Sequence, residues 1–517
     1  MSLSAAGMPW LKVAIVGSGP AGLYTAEALV KQAALLPSPV KISVDVLDRL
    51  PTPYGLVRYG VAPDHKSIKS VANYLRRVLE SPGVTFAGGV HFGTDVTRED
   101  LLASYDAVVY ATGAMRDRRL GIPGEDLPGS YAATDFVNWY CGHPDIDPGA
   151  FTLDAESVAV IGVGNVAVDV ARILARDPVE LEQTDIPEPV MAALRASKVR
   201  EVHVIGRRGP AQAKFTTKEL RELGELPGVQ VSADPAELDL TDGFDRAGES
   251  AALASSDRRV RGNLVALAGW SGVGDGTSGD SAPDGPLPGR RLRLRFWLRP
   301  VEIQESSSGT VAGLRLERTR LSESGVFEGT GEFQTLPAQM VLRSVGYQSV
   351  PLPGVPFDER THTVPNLSGR VVSEAGEPLP GEYVAGWLKR GPTGVIGTNK
   401  ADAAETVQAL LADLAGGPDL GEGKLPRPGL LRRPGSDDPE GPGGSDPDNA
   451  DPAAAAGAAA ADSVLAPVLA GRGVTPVGYR DWLRIAAAEE ALAASLGRGE
   501  RVKLPHRDAI WSAARTS

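Results

Sequence analysis

The chain has 517 residues, of which 42% are hydrophobic and 23% are charged, and its net charge is −12. This length exceeds one hydrophobic core and predicts about three domains, while the acidic balance argues against general nucleic-acid binding. No apolar stretch reaches the length of an integral membrane segment. The single cysteine, Cys141, excludes a disulfide scaffold, a four-cysteine iron–sulfur site and a redox-active cysteine pair. The first residues, MSLSAAGMPW, predict no signal peptide, so we expect a cytoplasmic protein.

A glycine-rich turn, GSGPAG at residues 17–22, follows the first apolar run at residues 13–16. Helix-forming residues come next, so the turn has the strand-before, helix-after context of a dinucleotide-binding motif. In such a turn the first glycine allows a sharp bend and the second lets the backbone contact a pyrophosphate at the helix N-terminus. The last small residue lets the helix pack on the strand. The predicted binding residues are Gly17, Gly19, Ala21 and Gly22.

The strand that follows this turn, residues 41–47, ends at Asp48. A carboxylate at this position is placed to accept hydrogen bonds from a ribose diol, which favours an adenosine without a 2′-phosphate, such as that of FAD. A buried strand within residues 105–113 then closes the first unit near residue 115.

A second turn of the same kind, GVGNVA at residues 162–167, follows the apolar run 158–161 and precedes a helical pattern. Its predicted binding residues are Gly164, Asn165, Val166 and Ala167. The next strand, residues 202–205, ends before Arg207 and Arg208, whose guanidinium groups favour the 2′-phosphate of NADP(H). A solvated basic turn is the alternative interpretation of these two arginines.

The later part of the chain contains two stretches of unusual composition. Residues 241–289, rich in Gly, Ser and Asp, predict an insertion or a long surface loop within a second unit that closes with a strand at residues 340–347. Residues 416–462, rich in Pro, Gly, Asp and Ala, are predicted to be disordered. The amphipathic pattern of Tyr479–Leu496 predicts a helix that docks back on the rest of the chain.

Basic residues are concentrated in two segments of this acidic chain. Residues 195–221 carry eight Lys or Arg against two Glu, an excess of six positive charges. Arginines alternate with apolar residues at 290–299, which predicts a half-buried strand with an arginine face outward. Either segment is suited to steering an acidic partner, and a solvated surface is the alternative.

Longer motifs extend over nearly the whole chain apart from the two stretches of unusual composition. They are VGSGPAGLYTAE at 16–27, PYGLVRYGVAPDH at 53–65, IPGEDLPGS at 122–130, IGVGNVAVDVARIL at 161–174, IGRRGPAQAKFTTKELREL at 205–223 and GWLKRGPTGVIGTNK at 386–400. With these motifs the chain resembles the adrenodoxin-reductase type of ferredoxin–NADP reductase, a family shared by mitochondria and actinobacteria. One departure is Asp48, where some members have Glu, and it keeps the carboxylate.

The resemblance implies an α/β fold with two Rossmann-like dinucleotide-binding domains, glutathione-reductase-like, and a discontinuous FAD domain. The implied parts are an FAD domain of residues 1–115 and 349–415, an NADP domain of residues 116–348 with the loop insertion at 241–289, a disordered linker at 416–462, and a C-terminal segment at 463–517 that docks on the FAD domain.

The same resemblance implies FAD and NADP(H) as cofactors and assigns residues to each. FAD would be lined by Ala21, Asp48, Leu56, Val96, Trp387, Gly394, Val395 and Ile396. NADP(H) would contact residues 164–167, Arg207, Arg208 and Glu219, with Trp387 and Gly394 near the nicotinamide. The GPTG loop at 391–394 leads into residues 395–400, where a helix N-terminus is suited to offering N–H groups to the flavin.

His65 and Glu222 are implied to handle protons near the flavin, with a structural hydrogen-bonding role as the alternative. The implied reaction passes a hydride from NADPH to FAD and then single electrons to an iron–sulfur ferredoxin, which would dock on a local basic face. We expect a monomer and no metal site.

Other functions stay open on the sequence. A flavin-dependent disulfide reductase would share both glycine-rich turns but requires a cysteine pair. A diaphorase with a different electron acceptor would also share them. A non-enzymatic NADP-sensing protein would need only the second turn.

Overall fold

The computed structural model of the protein describes residues 10–36, 40–240, 244–271, 289–414, 463–499 and 501–516. The predicted disordered linker at 416–462 lies outside these residues. The strands, in chain order, are β1 (Trp10–Val16), β2 (Lys41–Asp48), β3 (Val84–Gly88), β4 (Ala107–Tyr110), β5 (Arg116–Asp117), β6 (Ser130–Ala132), β7 (Ser157–Ile161), β8 (Glu201–Ile205), β9 (Val229–Ala233), β10 (Arg290–Arg295), β11 (Leu298–Glu305), β12 (Val311–Leu321), β13 (Phe327–Pro337), β14 (Met340–Arg343), β15 (Tyr347–Gln348), β16 (Asn366–Leu367), β17 (Arg370–Val372) and β18 (Pro378–Val384).

Helices connect and cover these strands. They are α1 (Pro20–Ala33), α2 (Leu56–Tyr59), α3 (Lys66–Lys69), α4 (Val71–Leu79), α5 (Arg98–Ser104), α6 (Ala133–Tyr140), α7 (Asn165–Ala175), α8 (Pro178–Leu181), α9 (Glu188–Arg195), α10 (Thr217–Gly224), α11 (Glu249–Ser256), α12 (Arg258–Gly269), α13 (Trp387–Arg390), α14 (Thr398–Leu414), α15 (Ala466–Gly471), α16 (Tyr479–Leu496) and α17 (Arg507–Arg515). Among the described residues, none of the helices combines the length and apolar character that crossing a membrane requires.

The first sheet is built from two separated parts of the chain. Its strand order is β16-β17-β18-β4-β1-β2-β3. Strands β1, β2, β3, β4 and β18 pair in parallel, with Val13 of β1 opposite both Val44 and Ala107. Strand β18 joins at the β4 edge, where Tyr383 lies opposite Val109. The chain therefore leaves this sheet, forms a second unit, and then returns to complete the first.

The second sheet is parallel throughout, in the order β6-β14-β7-β8-β10-β9. Its strands β7 and β8 are nearly continuous apolar runs, as expected for strands that are buried on both faces. An antiparallel sheet of β11, β12 and β13 is inserted in the chain between β10 and β14 of this second sheet. Both of the larger sheets contain a strand, a glycine-rich turn and a helix in succession, which is the predicted α/β architecture.

The arginine-rich strand β10 forms as predicted, but its arginines do not make a free basic face. Strand β10 lies inside the sheet, between β8 and β9. The Nε of Arg293 lies 2.6 Å from a carboxylate oxygen of Glu201, and Arg295 pairs with Glu237 at 3.0 Å. The expected outward face was wrong because carboxylates that are distant in sequence neutralise these guanidinium groups.

The segment 241–289 is not simply a loop. Its described residues contain the helices α11 and α12, and Asp257 caps the second by accepting a hydrogen bond from the backbone N–H of Arg259 at 2.7 Å. Val260, Asn263 and Leu267 of α12 are buried on one face. The apolar face of α12 is short and interrupted by Gly and Asn, which explains why the composition predicted a loop.

The C-terminal segment contains the predicted helix at Tyr479–Leu496 and contacts both units. Val477 exchanges backbone hydrogen bonds with Gly88 of the first sheet, at 2.8 and 2.9 Å. The Trp482 ring packs edge-on against Tyr54, with centroids 5.9 Å apart. The Nε of Arg498 donates to the backbone carbonyl of Glu182 at 3.0 Å, so this segment also touches the second unit.

Candidate functional site

The first glycine-rich turn has a position that is open for a ligand. Gly17 has φ +116°, and a Cβ there would lie 2.5 Å from the carbonyl oxygen of Ala111. A Cβ on Gly22 would lie 1.9 Å from the carbonyl oxygen of Gly17, so close packing of helix on strand requires both glycines. Around Gly19 the nearest heavy atom to such a Cβ is 3.9 Å away. The turn thus leaves its middle glycine free for the close approach of a pyrophosphate.

Asp48, the predicted ribose ligand, also holds this turn in place. Its carboxylate accepts hydrogen bonds from the backbone N–H of Ser18 at 2.9 Å, from the Ser18 hydroxyl at 2.6 Å and from the N–H of Leu50 at 2.9 Å. Burial raises the pKa of Asp48, and the hydrogen bonds from Ser18 oppose that shift. Since a carboxylate has about four acceptor positions, about one remains for a ribose hydroxyl.

The second turn repeats this geometry. A Cβ on Gly162, which has φ +139°, would lie 2.1 Å from the carbonyl oxygen of Ser344, whereas a Cβ on Gly164 would meet nothing within 4 Å. The Asn165 side chain is occupied, because its Oδ1 accepts a hydrogen bond from the N–H of Thr216 at 2.9 Å. The middle glycine is again the open position.

The two predicted phosphate-binding arginines lie at the end of β8, beside the second turn. Arg207 is exposed and Arg208 is half-buried, with its guanidinium 4.6 Å from the centroid of the Phe327 ring. Within the described ranges, neither has a carboxylate at ion-pair distance. The carboxylate of Glu219, predicted to contact NADP(H), accepts a hydrogen bond from the hydroxyl of Thr216.

The structure brings His65 and Glu222 together, with Nδ1 of His65 3.8 Å from a carboxylate oxygen of Glu222. The Nε2 of the same ring lies 2.9 Å from Asp169 Oδ1 and 2.7 Å from an Nη of Arg172. His65 precedes α3 in the first unit, whereas the other residues lie on α7 and α10 of the second. This imidazole therefore bridges the two units.

Sequence reasoning missed the charged residues around His65. Arg172 is fully buried and donates to both carboxylate oxygens of Asp64, at 2.7 and 2.9 Å, and to Asp169 at 2.8 Å. Asp169 and Arg172 are three residues apart on α7, directly after the second glycine-rich turn. This spacing, which places Asp169 and Arg172 on one helix face, was the sequence signal that could have identified them.

Opposing influences set the protonation of His65. Burial by itself lowers the pKa of His65, but the hydrogen bond to Asp169 raises it, and the net direction is upward. Because Nε2 faces an acceptor on Asp169 and a donor on Arg172, the ring has a partner for this nitrogen in both charge states. The site is thus built to hold a proton or to release it.

The returning segment lies directly on the first glycine-rich turn. Gly386 has φ +76°, and a Cβ there would lie 2.4 Å from the Cβ of Ala21. The next residue, Trp387, packs its ring against Tyr347 of the second unit, with centroids 5.5 Å apart. Trp387 therefore lies between the two units.

Four other implied flavin contacts differ in their surroundings. Leu56 begins the short helix α2, next to Gly55, whose Cα lies close to Gly19. Val96 is fully buried in the same apolar cluster as Leu47, so its role in the structure is packing. The helix expected at residues 395–400 begins only at Thr398, which leaves Val395 exposed and Ile396 in the preceding turn. The Thr398 hydroxyl accepts a hydrogen bond from the N–H of Val395 at 3.1 Å.

Comparison with known proteins gives the family. Residues 11–224 match the pyridine nucleotide-disulphide oxidoreductase family. The chain is 47% identical over 408 residues to NADPH-ferredoxin reductase FprA of Mycobacterium tuberculosis, covering 78% of this chain and 84% of that protein. It is 39% identical over 496 residues to the mitochondrial NADPH:adrenodoxin oxidoreductase of Bos taurus, covering 94% and 89%.

A solved structure matches nearly the whole chain. Mycobacterium tuberculosis FprA in complex with NADPH matches with a TM-score of 0.81 and 40% identity, covering 99% of this chain and 100% of that one. The chain belongs to the family of NADPH-ferredoxin reductases and adrenodoxin reductases. The predicted family resemblance and the fold of two dinucleotide-binding domains are thereby confirmed.

The disulfide reductase alternative is not supported by this site. Cys141 is the one cysteine of the chain, and it is fully buried with its thiol donating to the carbonyl of Val61 at 3.4 Å. Burial raises the pKa of this thiol to about 11, which disfavours the reactive thiolate.

Proposed function

We propose that the protein is an NADPH-ferredoxin reductase that uses bound FAD to pass electrons from NADPH to an iron–sulfur ferredoxin. The observation that carries this proposal is the pair of glycine-rich turns. Each leaves an open middle glycine, yet only the second is followed by Arg207 and Arg208, which have no carboxylate at ion-pair distance among the described residues. One site therefore suits FAD and the other NADP(H).

FAD is held by the first turn and by the returning segment. When bound, it supplies the chemistry that links a two-electron hydride donor to a one-electron acceptor. Gly19 and the N-terminus of α1 bind the pyrophosphate, and Asp48 orients the ribose. Residues 386–396 close the site from the second side, so the chain orients the ring system and limits the access of water.

NADP(H) is held by the second turn. Gly164 and the N-terminus of α7 bind its pyrophosphate, while Arg207 and Arg208 bind the 2′-phosphate. The contact between Trp387 and Tyr347 marks where the two units meet. Trp387 would lie beside the nicotinamide at this point.

His65 is the proton-handling group of the site, with Asp169 and Glu222 as its partners. The hydrogen bond to Asp169 stabilises the charged imidazolium, and Arg172 donates to the neutral form. Glu222 lies on the Nδ1 side, with a carboxylate oxygen 3.8 Å from that nitrogen. In this role His65, Asp169 and Glu222 hold a proton where the two units meet.

The partner is a ferredoxin-type iron–sulfur protein, and its docking face is the exposed basic surface around α10. Arg195 and Lys198 are already paired with carboxylates. Lys214, Lys218 and Arg221 are exposed, although the Nζ of Lys218 lies 4.0 Å from a carboxylate oxygen of Glu222. Helix α12 packs beside α10, with Gly262 against Thr217. Arg258 and Arg261 at the start of α12 extend this surface. An acidic chain would thus meet an acidic partner through a local basic face.

The test is a visible spectrum of the purified protein with and without NADPH, in the absence of oxygen. We expect a flavin spectrum that bleaches with NADPH, and NADPH-dependent reduction of cytochrome c only when ferredoxin is added. A colourless protein would favour an NADP-sensing role. Bleaching without any ferredoxin reduction would favour a diaphorase with another acceptor. A cytoplasmic location and a monomeric state remain predictions.

A further inference from the structure

An aromatic ring lies against one of the two phosphate-binding arginines. The guanidinium carbon of Arg208 is 4.6 Å from the centroid of the Phe327 ring, within the range of a cation–π contact. A cation–π contact engages the charge of the guanidinium and uses none of its N–H groups in a hydrogen bond to a carboxylate or carbonyl. The contact therefore restrains Arg208 while its N–H donors remain available to a phosphate.

The Phe327 ring is itself held by an aromatic stack. It packs against Trp297 with centroids 6.2 Å apart, and Trp297 is stacked on Phe244 at 5.6 Å with an interplanar angle of 12°. Trp297 is fully buried and has φ +58°, a left-handed conformation that is costly for a large side chain. Its indole occupies the space of a side chain at residue 209, since a Cβ on Gly209 would lie 2.1 Å from it.

Backbone hydrogen bonds tie the arginine turn to the same elements. The N–H of Trp297 donates to the carbonyl of Arg208 at 3.1 Å, and the N–H of Leu298 donates to that of Gly206 at 3.0 Å. The Thr319 hydroxyl of β12 donates to the carbonyl of Arg207 at 2.8 Å. The antiparallel sheet β11–β13 thus supports the turn that reads the 2′-phosphate.

We propose that Phe327 is a positioning residue that strengthens the preference for NADPH over NADH by holding Arg208 in its phosphate-binding orientation. This proposal rests on the proposed function, in which Arg208 binds the 2′-phosphate. Phe327 lies on β13, more than a hundred residues from the glycine-rich turn, and forms no part of that motif. Its effect is specific to the 2′-phosphate because it acts only through Arg208.

The variant Phe327→Leu tests the proposal, since leucine keeps apolar packing against Trp297 and removes the ring face. We expect the KM for NADPH to rise roughly three- to tenfold, with kcat unchanged and the KM for NADH unchanged. The affinity for 2′,5′-ADP should fall by the same factor, measured as competitive inhibition, while that for 5′-AMP stays constant. Phe327→Tyr and Phe327→Trp should restore the wild-type values.

A matched control exists on the same strand. Phe333 lies under the Arg315 guanidinium at 4.3 Å and is 50% exposed, so Phe333→Leu removes a similar contact outside the site and should change none of these constants. In an Arg208→Ala background, Phe327→Leu should have no further effect on 2′,5′-ADP. Equal losses for both coenzymes, or no loss for NADPH, would overturn the proposal. If Arg208→Ala itself leaves 2′,5′-ADP binding unchanged, the NADP(H) assignment fails instead.

Discussion

Arg58 and Glu489 form a buried ion pair that joins the short helix α2 of the first unit to the C-terminal helix α16. The side chains are 5% and 0% exposed, and Arg58 Nη1 donates to a carboxylate oxygen at 3.2 Å. The same guanidinium lies 5.0 Å from the ring centroids of Tyr59 and Trp482. Together these contacts anchor the end of the chain beside the residues that follow the FAD-binding turn.

Loss of one partner of this pair should destabilise the protein strongly. Glu489→Gln leaves the Arg58 charge buried without its counter-ion, and we expect the free energy of unfolding to fall by about 3–5 kcal/mol, measured by urea unfolding. The exposed pair Arg119 and Asp126 is the control, and Asp126→Asn should leave the urea midpoint near its wild-type value. Equal effects of the two changes would contradict the structural role given to Glu489.

Alanine substitutions at two glycines of the first turn should have different effects, on FAD binding at Gly19 and on stability at Gly22. Gly19→Ala has room for its methyl group in the protein, so the apoprotein should unfold at the wild-type urea midpoint while binding of FAD weakens by roughly tenfold or more. Gly22→Ala collides with the carbonyl of Gly17 and should lower that midpoint. Bound FAD is read from the 450 nm absorbance, and a Gly19→Ala protein with full flavin content would refute the open-position argument.

Removal of both Arg207 and Arg208 should separate the two coenzymes. Each charge-assisted hydrogen bond to the 2′-phosphate contributes about 1.5–3 kcal/mol, so the double alanine variant should lose about a hundredfold or more in kcat/KM with NADPH. The value with NADH should barely change, because NADH has no such phosphate. A parallel loss with both coenzymes would show that these arginines serve another purpose.

The charge of His65 should depend on Asp169. Because the hydrogen bond to Asp169 raises the pKa of His65, Asp169→Asn should lower it, as measured by NMR titration of the imidazole resonances with His65→Gln as the assignment control. The bond should stabilise the fold fully below the unfolded pKa of about 6.5 and lose this effect as the pH rises through the raised folded value. An unchanged titration in Asp169→Asn would assign the upward shift to another group.

Charge reversal should locate the ferredoxin-docking face. Lys214→Glu and Lys218→Glu should slow ferredoxin-dependent cytochrome c reduction and weaken its salt dependence, because exposed charges act over about 10 Å at 0.1 M salt. Reduction of small uncharged acceptors by NADPH should not change. Arg293→Gln is the comparison, since Arg293 is paired with Glu201 inside the second sheet and should not affect docking. Unchanged rates in both lysine variants would move the docking face elsewhere.

Local patterns were enough to predict the cofactor-binding framework. The glycine-rich turns, the strands beside them and the helix at Tyr479–Leu496 each depend on residues that are close in sequence, and the structure has them at the expected places. His65 and Glu222 were named from family resemblance rather than from a local pattern, and their separation of 3.8 Å is a finding of the structure. This framework was predictable because each of its parts depends on residues within one short segment.

Contacts between distant segments were not predictable in the same way. The arginines of β10 lost their expected outward face because Glu201 and Glu237 reach them from other strands and turns. Arg172 meets Asp64 across 108 residues of chain, and Phe327 meets Arg208 from a different sheet. In each case the tertiary fold brings the two residues together. The spacing of residues along the sequence does not predict such contacts.

The return of the chain to the first sheet has a consequence for biosynthesis. The edge of β4 is covered only by β18, whose Tyr383 pairs with Val109 after the whole second unit has been made. During translation the ribosome must therefore deliver the second unit while that edge still presents unpaired backbone groups, a condition that favours aggregation. Folding of the second unit ahead of the first would shorten this exposure. If residues 386–396 enclose FAD as proposed, the cofactor can be enclosed only after these residues have been made.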